Sequence, residues 1–241
     1  MYHRLYPHQN DSLIELLLML DALKQVGAKV FVVAPYLPYA RQDKIHLEGE
    51  VGSAKVICNL LASAGCHTLI TFDAHFLDAE GEFVYEGLKI RNISMGTSLI
   101  AEAENLFNGE DFELVAPDDG ATYLFGGRSG KWIQKTRADE HTDGKNAYRG
   151  IAKMQIDFDA VQPNVLIIDD MISTGGTIIR CMEELKKRGA KRIVCASTHG
   201  LFLNNSLERI QSLCESVLVT DSIISPVSRV TIKDKLAGMY S

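Results

Sequence analysis

The sequence contains no uninterrupted apolar stretch that approaches the ~18 residues of a membrane-spanning helix. Its first residues, MYHRLYPHQND, lack the basic and apolar regions of a signal peptide. The five cysteines are an odd number without a Cys-x-x-Cys pair, and several lie in apolar runs, where cysteine usually acts as a small hydrophobic residue. We therefore expect a cytoplasmic chain in a reducing compartment, with no membrane partner.

Clusters of basic residues are also scarce. Lys and Arg total 25 against 31 Asp and Glu, and the resulting net charge of −6 argues against nucleic acid as a partner. A small molecule or another protein is the expected partner. With 241 residues, 46% of them hydrophobic, the chain can bury a core in one large domain or two small ones.

Short apolar runs rich in β-branched residues alternate with longer stretches of helical periodicity. The runs predict strands over residues 30–34, 69–72, 113–116, 165–168, 192–196 and 216–219. The clearest helices are predicted over 11–26, 53–64 and 176–188, each ending near a glycine. This alternation predicts an α/β fold with mostly parallel sheets.

Two segments, LKQVGAKVFVVAP (23–35) and LKKRGAKRIVCAS (185–197), share the order helix end, Gly-Ala-Lys, strand. They indicate a duplicated α/β unit, although any helix-to-strand turn favours a glycine cap after lysine. The first copy has only 22 residues before it, so we expect its domain to be incomplete at the N-terminus and helix 11–26 to lack strands to pack on. We predict domains at 1–90, which 225–241 could complete, and 91–224.

The segment VLIIDDMISTGGT (165–177) joins a predicted buried strand to a predicted helix. Parallel sheets place ligands at this point, because strand ends and the N–H groups of a helix N-terminus converge there. Glycines allow close approach of backbone amides to phosphate, and the threonine hydroxyls add donors. The loop lacks the lysine of a Walker A motif. We predict a monophosphate site formed by Ser173, Thr174, Gly175, Gly176 and Thr177.

The two acids in this segment, Asp169 and Asp170, would repel a phosphate. They suit ribose hydroxyls or hydrated Mg²⁺, or else they only cap the turn and the helix. IIDDMISTGGT resembles the phosphoribosyl pyrophosphate loop of type I phosphoribosyltransferase folds. The resemblance implies that the acids bind ribose hydroxyls and that the TGGT turn binds the 5-phosphate.

A longer segment, YARQDKIHLEGEVGSAKVICNLLASAGCHTLITFDAH (39–75), resembles the ribose-phosphate pyrophosphokinases, and APDDG, KTR and STHGLF extend the resemblance over nearly the whole chain. By this resemblance Arg41, Gln42 and Asp43 bind ATP. Asp73 and His75 form a strand-end pair beside the nucleotide phosphates, and His75 ligates Mg²⁺. Taken alone, Arg41 to Asp43 would also suit a solvated loop, and His75 a locally bonded histidine.

The resemblance extends to the groups that act on pyrophosphate. It makes Asp118 and Gly120 a pyrophosphate loop, with Asp119 as an alternative acid or a turn residue. Lys135 and Arg137 become the catalytic cations, although both could be exposed strand-edge cations. Asp118 and Asp170 join His75 as Mg²⁺ ligands, while Asp170 could instead orient the attacking hydroxyl.

The implied reaction transfers pyrophosphate from ATP to the anomeric hydroxyl of ribose 5-phosphate, giving 5-phosphoribosyl 1-pyrophosphate and AMP for nucleotide biosynthesis. The resemblance also implies two phosphoribosyltransferase-like domains and a homo-oligomer, either a dimer or a hexamer. Family members carry a Phe-Asp-Gly-Glu-type loop upstream, and no such stretch precedes Asn10. A weak or silent regulatory homologue and a base phosphoribosyltransferase are therefore the alternatives.

Overall fold

A computed structural model describes residues 1–45, 48–136, 153–155 and 157–238, with only the backbone described at 134–136 and 153–155. Two main sheets, with strands that run mostly parallel, are flanked by helices. The predicted α/β class is confirmed. Among the described residues, none of the helices has the length and apolar character needed to cross a membrane.

The first sheet has the strand order β1-β2-β4-β3. Its strands are β1 (Val30–Val33), β2 (Cys66–Phe72), β3 (Gly81–Tyr85) and β4 (Leu88–Ile93). β1, β2 and β4 are parallel, and β3 closes the edge as the antiparallel partner of β4. The predicted domain boundary between residues 90 and 91 falls inside β4, so the first sheet extends beyond it.

Helices α1 (Gln9–Gln25) and α2 (Ser53–Ala64) pack together over one face of this sheet. Leu13, Leu16 and Leu20 of α1 are buried against β1 and α2, so the expectation that this helix lacks strands to pack on is wrong. Ile14 and Leu18 lie on its exposed side, where 57% and 68% of their surfaces are accessible.

The second sheet has six parallel strands in the order β12-β11-β10-β9-β5-β6. They are β5 (Glu113–Ala116), β6 (Lys131–Trp132), β9 (Asn164–Ile172), β10 (Arg192–Gly200), β11 (Ser216–Thr220) and β12 (Ser228–Val230). Its helices are α3 (Gly96–Leu106), α4 (Gly176–Lys187), α5 (Ser206–Gln211) and α6 (Lys233–Ala237), and a 3₁₀ helix, Asp119–Phe125, follows β5. β7 (Gln134–Thr136) and β8 (Lys153–Gln155) form a separate antiparallel pair.

The structure corrects the predicted placement of the C-terminal segment. β12 pairs with β11 of the second sheet, with Val219 opposite Ser228 and Thr220 opposite Val230. Ile232 is buried in the core that α3 shares with both sheets, and Leu236 packs against that core. The strand pairing places this segment on the second sheet, and burial of its apolar side chains in the shared core stabilises it there.

The two Gly-Ala-Lys turns have the same geometry. In the first, Gly27 has φ 73° and the N–H of Ala28 donates to the carbonyl of Leu23. In the second, Gly189 has φ 107° and the N–H of Ala190 donates to the carbonyl of Leu185, also at 3.1 Å. Positive φ explains the glycine in both copies. The shared geometry is compatible with duplication and equally with a common helix-ending rule.

The chain's first residues contact both sheets. Tyr2 forms a parallel bridge with Val33 at the edge of the first sheet. The guanidinium of Arg4 donates from Nη1 to the carbonyls of Asp221 and Ser222, both at 3.0 Å, just beyond the end of β11. Leu5, the next residue, is 1% exposed and belongs to the core of the first sheet. The N-terminal segment thereby connects the two sheets.

Candidate functional site

The carboxyl ends of β2, in the first sheet, and β9, in the second, meet at an ion pair between His75 and Asp170, which are 95 positions apart in the sequence. His75 follows β2, Asp170 lies near the end of β9, and the distance from Nδ1 to Oδ2 is 2.6 Å. Burial alone would raise the pKa of Asp170, but the hydrogen bond and charge of His75 outweigh it and lower that pKa. Burial would likewise lower the pKa of His75, and Asp170 raises it instead. The pair therefore favours an imidazolium beside a carboxylate.

The predicted phosphate loop connects β9 to α4 as expected. Gly175 adopts φ 74°, and a Cβ there would lie 3.0 Å from Ile210 Cδ1, so both backbone and space require glycine. The carbonyl of Ser173 accepts hydrogen bonds from the Ser206 hydroxyl and the Leu203 N–H, both at 2.9 Å. A Cβ on Gly176 would meet no atom within 4 Å, so the space in front of the helix N-terminus is open. An anion suits that position, because the first-turn N–H groups lack helical acceptors.

Two neighbouring cavities are present among the described residues, and His75 lines both. The first, the phosphate-loop cavity, is lined by residues 169–178 together with Arg41, His75 and Asp118. The second, the outer cavity, is lined by Asp43, Lys44, 75–78, Asp119, Gly120 and Thr122. His75 is the lining residue that the two cavities share.

The three predicted ATP-binding residues do not line the same cavity. Arg41 lines the phosphate-loop cavity and Asp43 lines the outer one. Gln42 lines neither cavity; its side-chain oxygen accepts a hydrogen bond from the Ser53 hydroxyl, and its carbonyl accepts the N–H of Ala54 at 3.1 Å. In the described structure Gln42 therefore anchors this loop to the start of α2.

The predicted pyrophosphate loop lies between the two cavities. Asp118 ends the extended segment after β5 and faces the phosphate-loop cavity, while Asp119 and Gly120 face the outer cavity. Asp119, expected to be either an alternative acid to Asp118 or a turn residue, lines the outer cavity as well.

Asp73 occupies a different environment from the one that the sequence indicates. It is fully buried, and it lines neither of the two cavities. Its carboxylate accepts hydrogen bonds from Met95 N–H at 2.9 Å, the Tyr123 hydroxyl at 3.0 Å and the Thr198 hydroxyl at 2.5 Å. Burial raises its pKa to about 6, although these three donors favour the charged form. Of the expected strand-end pair, His75 therefore lines the cavities, and Asp73 is bonded to protein donors behind it.

The predicted catalytic cations lie at the limit of the described chain. Lys135 belongs to β7, where it pairs with Met154 of β8, and its side chain is not described. Arg137 lies outside the described residues. β7 follows directly from β6, whose strand neighbour is β5, and the N–H of Ile133 donates to the carbonyl of Ala116. The chain therefore leaves the second sheet after β6 next to the end of β5, where Asp118 lies.

Sequence reasoning missed several buried polar residues behind the ion pair. His199 is 1% exposed; its Nε2 lies 2.9 Å from the carbonyl of Phe72 and its Nδ1 lies 2.8 Å from the Ser222 hydroxyl. Its ring contacts Tyr36 edge-on. Burial lowers the pKa of His199 to about 4. The available signal was the polar Ser-Thr-His run at the end of the otherwise apolar strand β10.

No set of three His, Cys, Asp or Glu side chains converges as a metal cage in the part of the chain that the structure describes. The carboxylates of Asp118, Asp169 and Asp170 nevertheless line one cavity. Mg²⁺ keeps several waters and binds through one or two carboxylates plus substrate phosphates, so such a donor set fits it. While the His75–Asp170 pair is intact, a metal contact of His75 would have to use Nε2.

Two family models match this chain. Residues 2–65 match the N-terminal domain of ribose phosphate pyrophosphokinase, and residues 159–228 match the phosphoribosyl transferase domain. The relatives include the ribose-phosphate pyrophosphokinase of Thermococcus kodakarensis, 35% identical over 96% of this chain and 80% of the relative. That of Pyrococcus furiosus is 32% identical over 97% of this chain and 81% of the relative.

A solved structure is similar over the same extent. The phosphoribosylpyrophosphate synthetase of Mycobacterium smegmatis superposes with a TM-score of 0.76 and 27% identity. The superposition covers 99% of this chain and 78% of that protein. Both sheets of the present chain therefore have counterparts in one solved protein.

Proposed function

Because this chain belongs to the ribose-phosphate pyrophosphokinase family, we propose that it transfers the pyrophosphoryl group of ATP to the anomeric hydroxyl of ribose 5-phosphate. The products are 5-phosphoribosyl 1-pyrophosphate and AMP, for nucleotide biosynthesis. The anomeric oxygen forms a bond to the β-phosphorus, the bond from that phosphorus to the oxygen bridging to the α-phosphate breaks, and the hydroxyl proton is released.

The observation that carries this proposal is the pair of cavities that adjoin at His75. The phosphate-loop cavity suits ribose 5-phosphate, because Gly175 and Gly176 expose backbone amides to a phosphate and the adjacent acids suit ribose hydroxyls. The outer cavity, with Asp43, Lys44 and Asp119, suits ATP. Substrates bound there would bring the anomeric hydroxyl and the β-phosphate to the common wall.

Positioning and charge neutralisation supply most of the catalysis in such a transfer. Asp169 and Asp170 hold the ribose hydroxyls; the oxygen of Asp169 also accepts the N–H of Asp170 at 3.0 Å, which orients the two acids relative to each other. Lys135 and Arg137 stabilise charge on the transferred group. Arg41 and Asp43 belong to the ATP side, with Gln42 anchoring their loop, and Asp118 and Gly120 receive the pyrophosphate.

We further propose that Mg²⁺ is the metal, held by His75, Asp118 and Asp170. Bound there, Mg²⁺ would neutralise negative charge on the ATP phosphates. A cytoplasmic location is supported by the five cysteines, none of which is in a disulfide in the described structure. Association into a homo-oligomer, a dimer or hexamer, is supported by the exposed Ile14 and Leu18 on α1.

The test is AMP formation from ATP that requires both ribose 5-phosphate and Mg²⁺. Consumption of phosphoribosyl pyrophosphate with a nucleobase would instead identify a base transferase. Ribose 5-phosphate binding without AMP formation would identify a silent homologue.

The ribose 5-phosphate site is tested by calorimetry on Asp169→Asn combined with Asp170→Asn. We expect ribose 5-phosphate affinity to be abolished, because both hydroxyl acceptors lose their charge. Asp234→Asn, at an exposed acid of α6, is the control, and equal affinity in the double variant would refute the assignment of the loop.

A further inference from the structure

The carboxylate of Asp73 connects three elements that come from different parts of the chain. Met95 immediately precedes α3, Tyr123 lies in the 3₁₀ helix, and Thr198 lies in β10 of the second sheet. Asp73 itself follows β2 of the first sheet, and its N–H donates to the carbonyl of Ile93. Both carboxylate oxygens are therefore engaged, by donors that are all uncharged.

The backbone at Asp73 is in an uncommon conformation. Its φ is 37°, a region that residues other than glycine rarely occupy. The next residue, Ala74, is held by a hydrogen bond from its N–H to the Asn92 side chain at 3.0 Å. Such a conformation persists only where surrounding contacts determine it. Here the turn directs the chain so that His75, two residues later, reaches Asp170.

The 3₁₀ helix buries Ala121, Leu124 and Phe125 in the core, and two further contacts join it to Asp73 and α3. One is the Tyr123 hydroxyl on Asp73. The other is the close approach of α3: a Cβ added to Gly96 would lie 2.1 Å from the carbonyl oxygen of Leu124. This helix begins at Asp119, next to Asp118, so these contacts and the burial of its apolar side chains together set where the predicted pyrophosphate loop lies relative to His75.

We propose that Asp73 is a positioning residue that sets the distance between the His75–Asp170 pair and the Asp118–Gly120 loop. It acts through the hydroxyls of Tyr123 and Thr198 and contacts no substrate. This inference rests on the proposed function, because the loop it positions is assigned to the pyrophosphate of ATP. Loosening the hydroxyl contacts would displace the loop and leave the ribose 5-phosphate half of the site intact.

The test uses substitutions that remove one hydroxyl without changing side-chain size appreciably. Tyr123→Phe and Thr198→Val each delete a donor to Asp73, whereas Thr198→Ser keeps it. We expect kcat to fall about ten- to hundredfold in Tyr123→Phe and Thr198→Val, and to recover to within about threefold in Thr198→Ser. KM for ribose 5-phosphate should remain within about twofold throughout. The control, Thr220→Val, removes a buried hydroxyl of the same sheet that bonds the Thr198 carbonyl and not Asp73.

Hydrogen exchange gives a readout that does not depend on activity. In Tyr123→Phe the amides of residues 119–125 should exchange at least about tenfold faster, while those of β2 and β10 should not change. Unchanged kcat in both donor deletions, or loss of kcat in Thr220→Val equal to that in Thr198→Val, would overturn the inference. If the unsubstituted chain forms no AMP, the proposed function fails, whereas faster exchange at 119–125 would still support the anchoring by Asp73.

Discussion

Protonation of His199 should destabilise the fold as the pH falls below neutrality. The carbonyl of Phe72 can only accept, so Nε2 carries a hydrogen. The Ser222 hydroxyl lies 2.8 Å from both Nδ1 and the carbonyl of Thr198. It can donate to Nδ1, since that carbonyl also accepts the Thr220 hydroxyl at 2.7 Å. In this arrangement both nitrogens of a neutral His199 ring have a hydrogen-bond partner. A second ring proton would turn the Ser222 hydroxyl toward the Thr198 carbonyl, 2.8 Å away, and would leave an imidazolium charge in a fully buried position, where burial disfavours it.

The magnitude follows from the two pKa values of His199. Its pKa is about 4 in the folded chain against 6.5 in the unfolded chain, so the unfolded chain takes up a proton first as the pH falls. Stability is therefore lost between about pH 6.5 and pH 4, by about 2 kcal/mol at pH 5 and about 3 kcal/mol when the titration is complete. Asp73 acts in the opposite direction. Its raised folded pKa of about 6 adds about 1 kcal/mol of stability as the pH falls to 5.

Because these two contributions oppose each other, the assay compares variants. The free energy of unfolding in urea would be measured at pH 7 and pH 5 for the unsubstituted chain and for His199→Gln, which retains an amide donor for Phe72. The unsubstituted chain should lose about 2 kcal/mol more than the variant over this interval. His8→Gln, at an exposed histidine, is the control. Equal losses in both chains, or a titration of the His199 ring near pH 6.5 by nuclear magnetic resonance, would refute the reasoning.

Three further substitutions test the fold and the site. Lys135→Ala should lower kcat by about a hundredfold or more while calorimetric affinity for ribose 5-phosphate survives; undiminished turnover would remove Lys135 from the mechanism. Gly175→Ala should weaken ribose 5-phosphate binding and lower the free energy of unfolding by about 1–3 kcal/mol. The control is Gly27→Ala, where φ is nearly the same but the space around the glycine is open. It should lower the free energy of unfolding by less and leave binding unchanged. Gly96→Ala should cost at least about 3 kcal/mol in urea unfolding, because its Cβ would overlap a backbone carbonyl; a loss below about 1 kcal/mol would mean that the 3₁₀ helix moves freely.

The central strands could be predicted because parallel strands buried on both faces read as β-branched apolar runs. All six predicted strands lie within β1, β2, β5, β9, β10 and β11 to within one residue. The hairpin of β3 and β4 was missed because its exposed positions, such as Lys89 and Arg91, interrupt the apolar pattern. β12 was missed because only three residues pair there. Short edge strands depend on their neighbours more than on their own sequence.

The same distinction applies to the site. The phosphate loop could be predicted because its donors are consecutive in the sequence and its geometry follows from one strand end and one helix start. The partners of Asp73 could not be predicted, because Tyr123 and Thr198 are 50 and 125 positions away and meet only after both sheets have packed. Residues that hold other residues in place leave little local pattern in a sequence.

Arg4 closes a loop of 217 positions with its two hydrogen bonds beyond β11. Closing a longer loop costs the chain only a little more entropy than closing a short one, because the cost rises with the logarithm of the length. The contact therefore closes this long loop at little extra cost and makes the beginning and the end of the fold one cooperative unit. A phosphorylated sugar bound at the phosphate loop should then protect residues 1–33 against proteolysis.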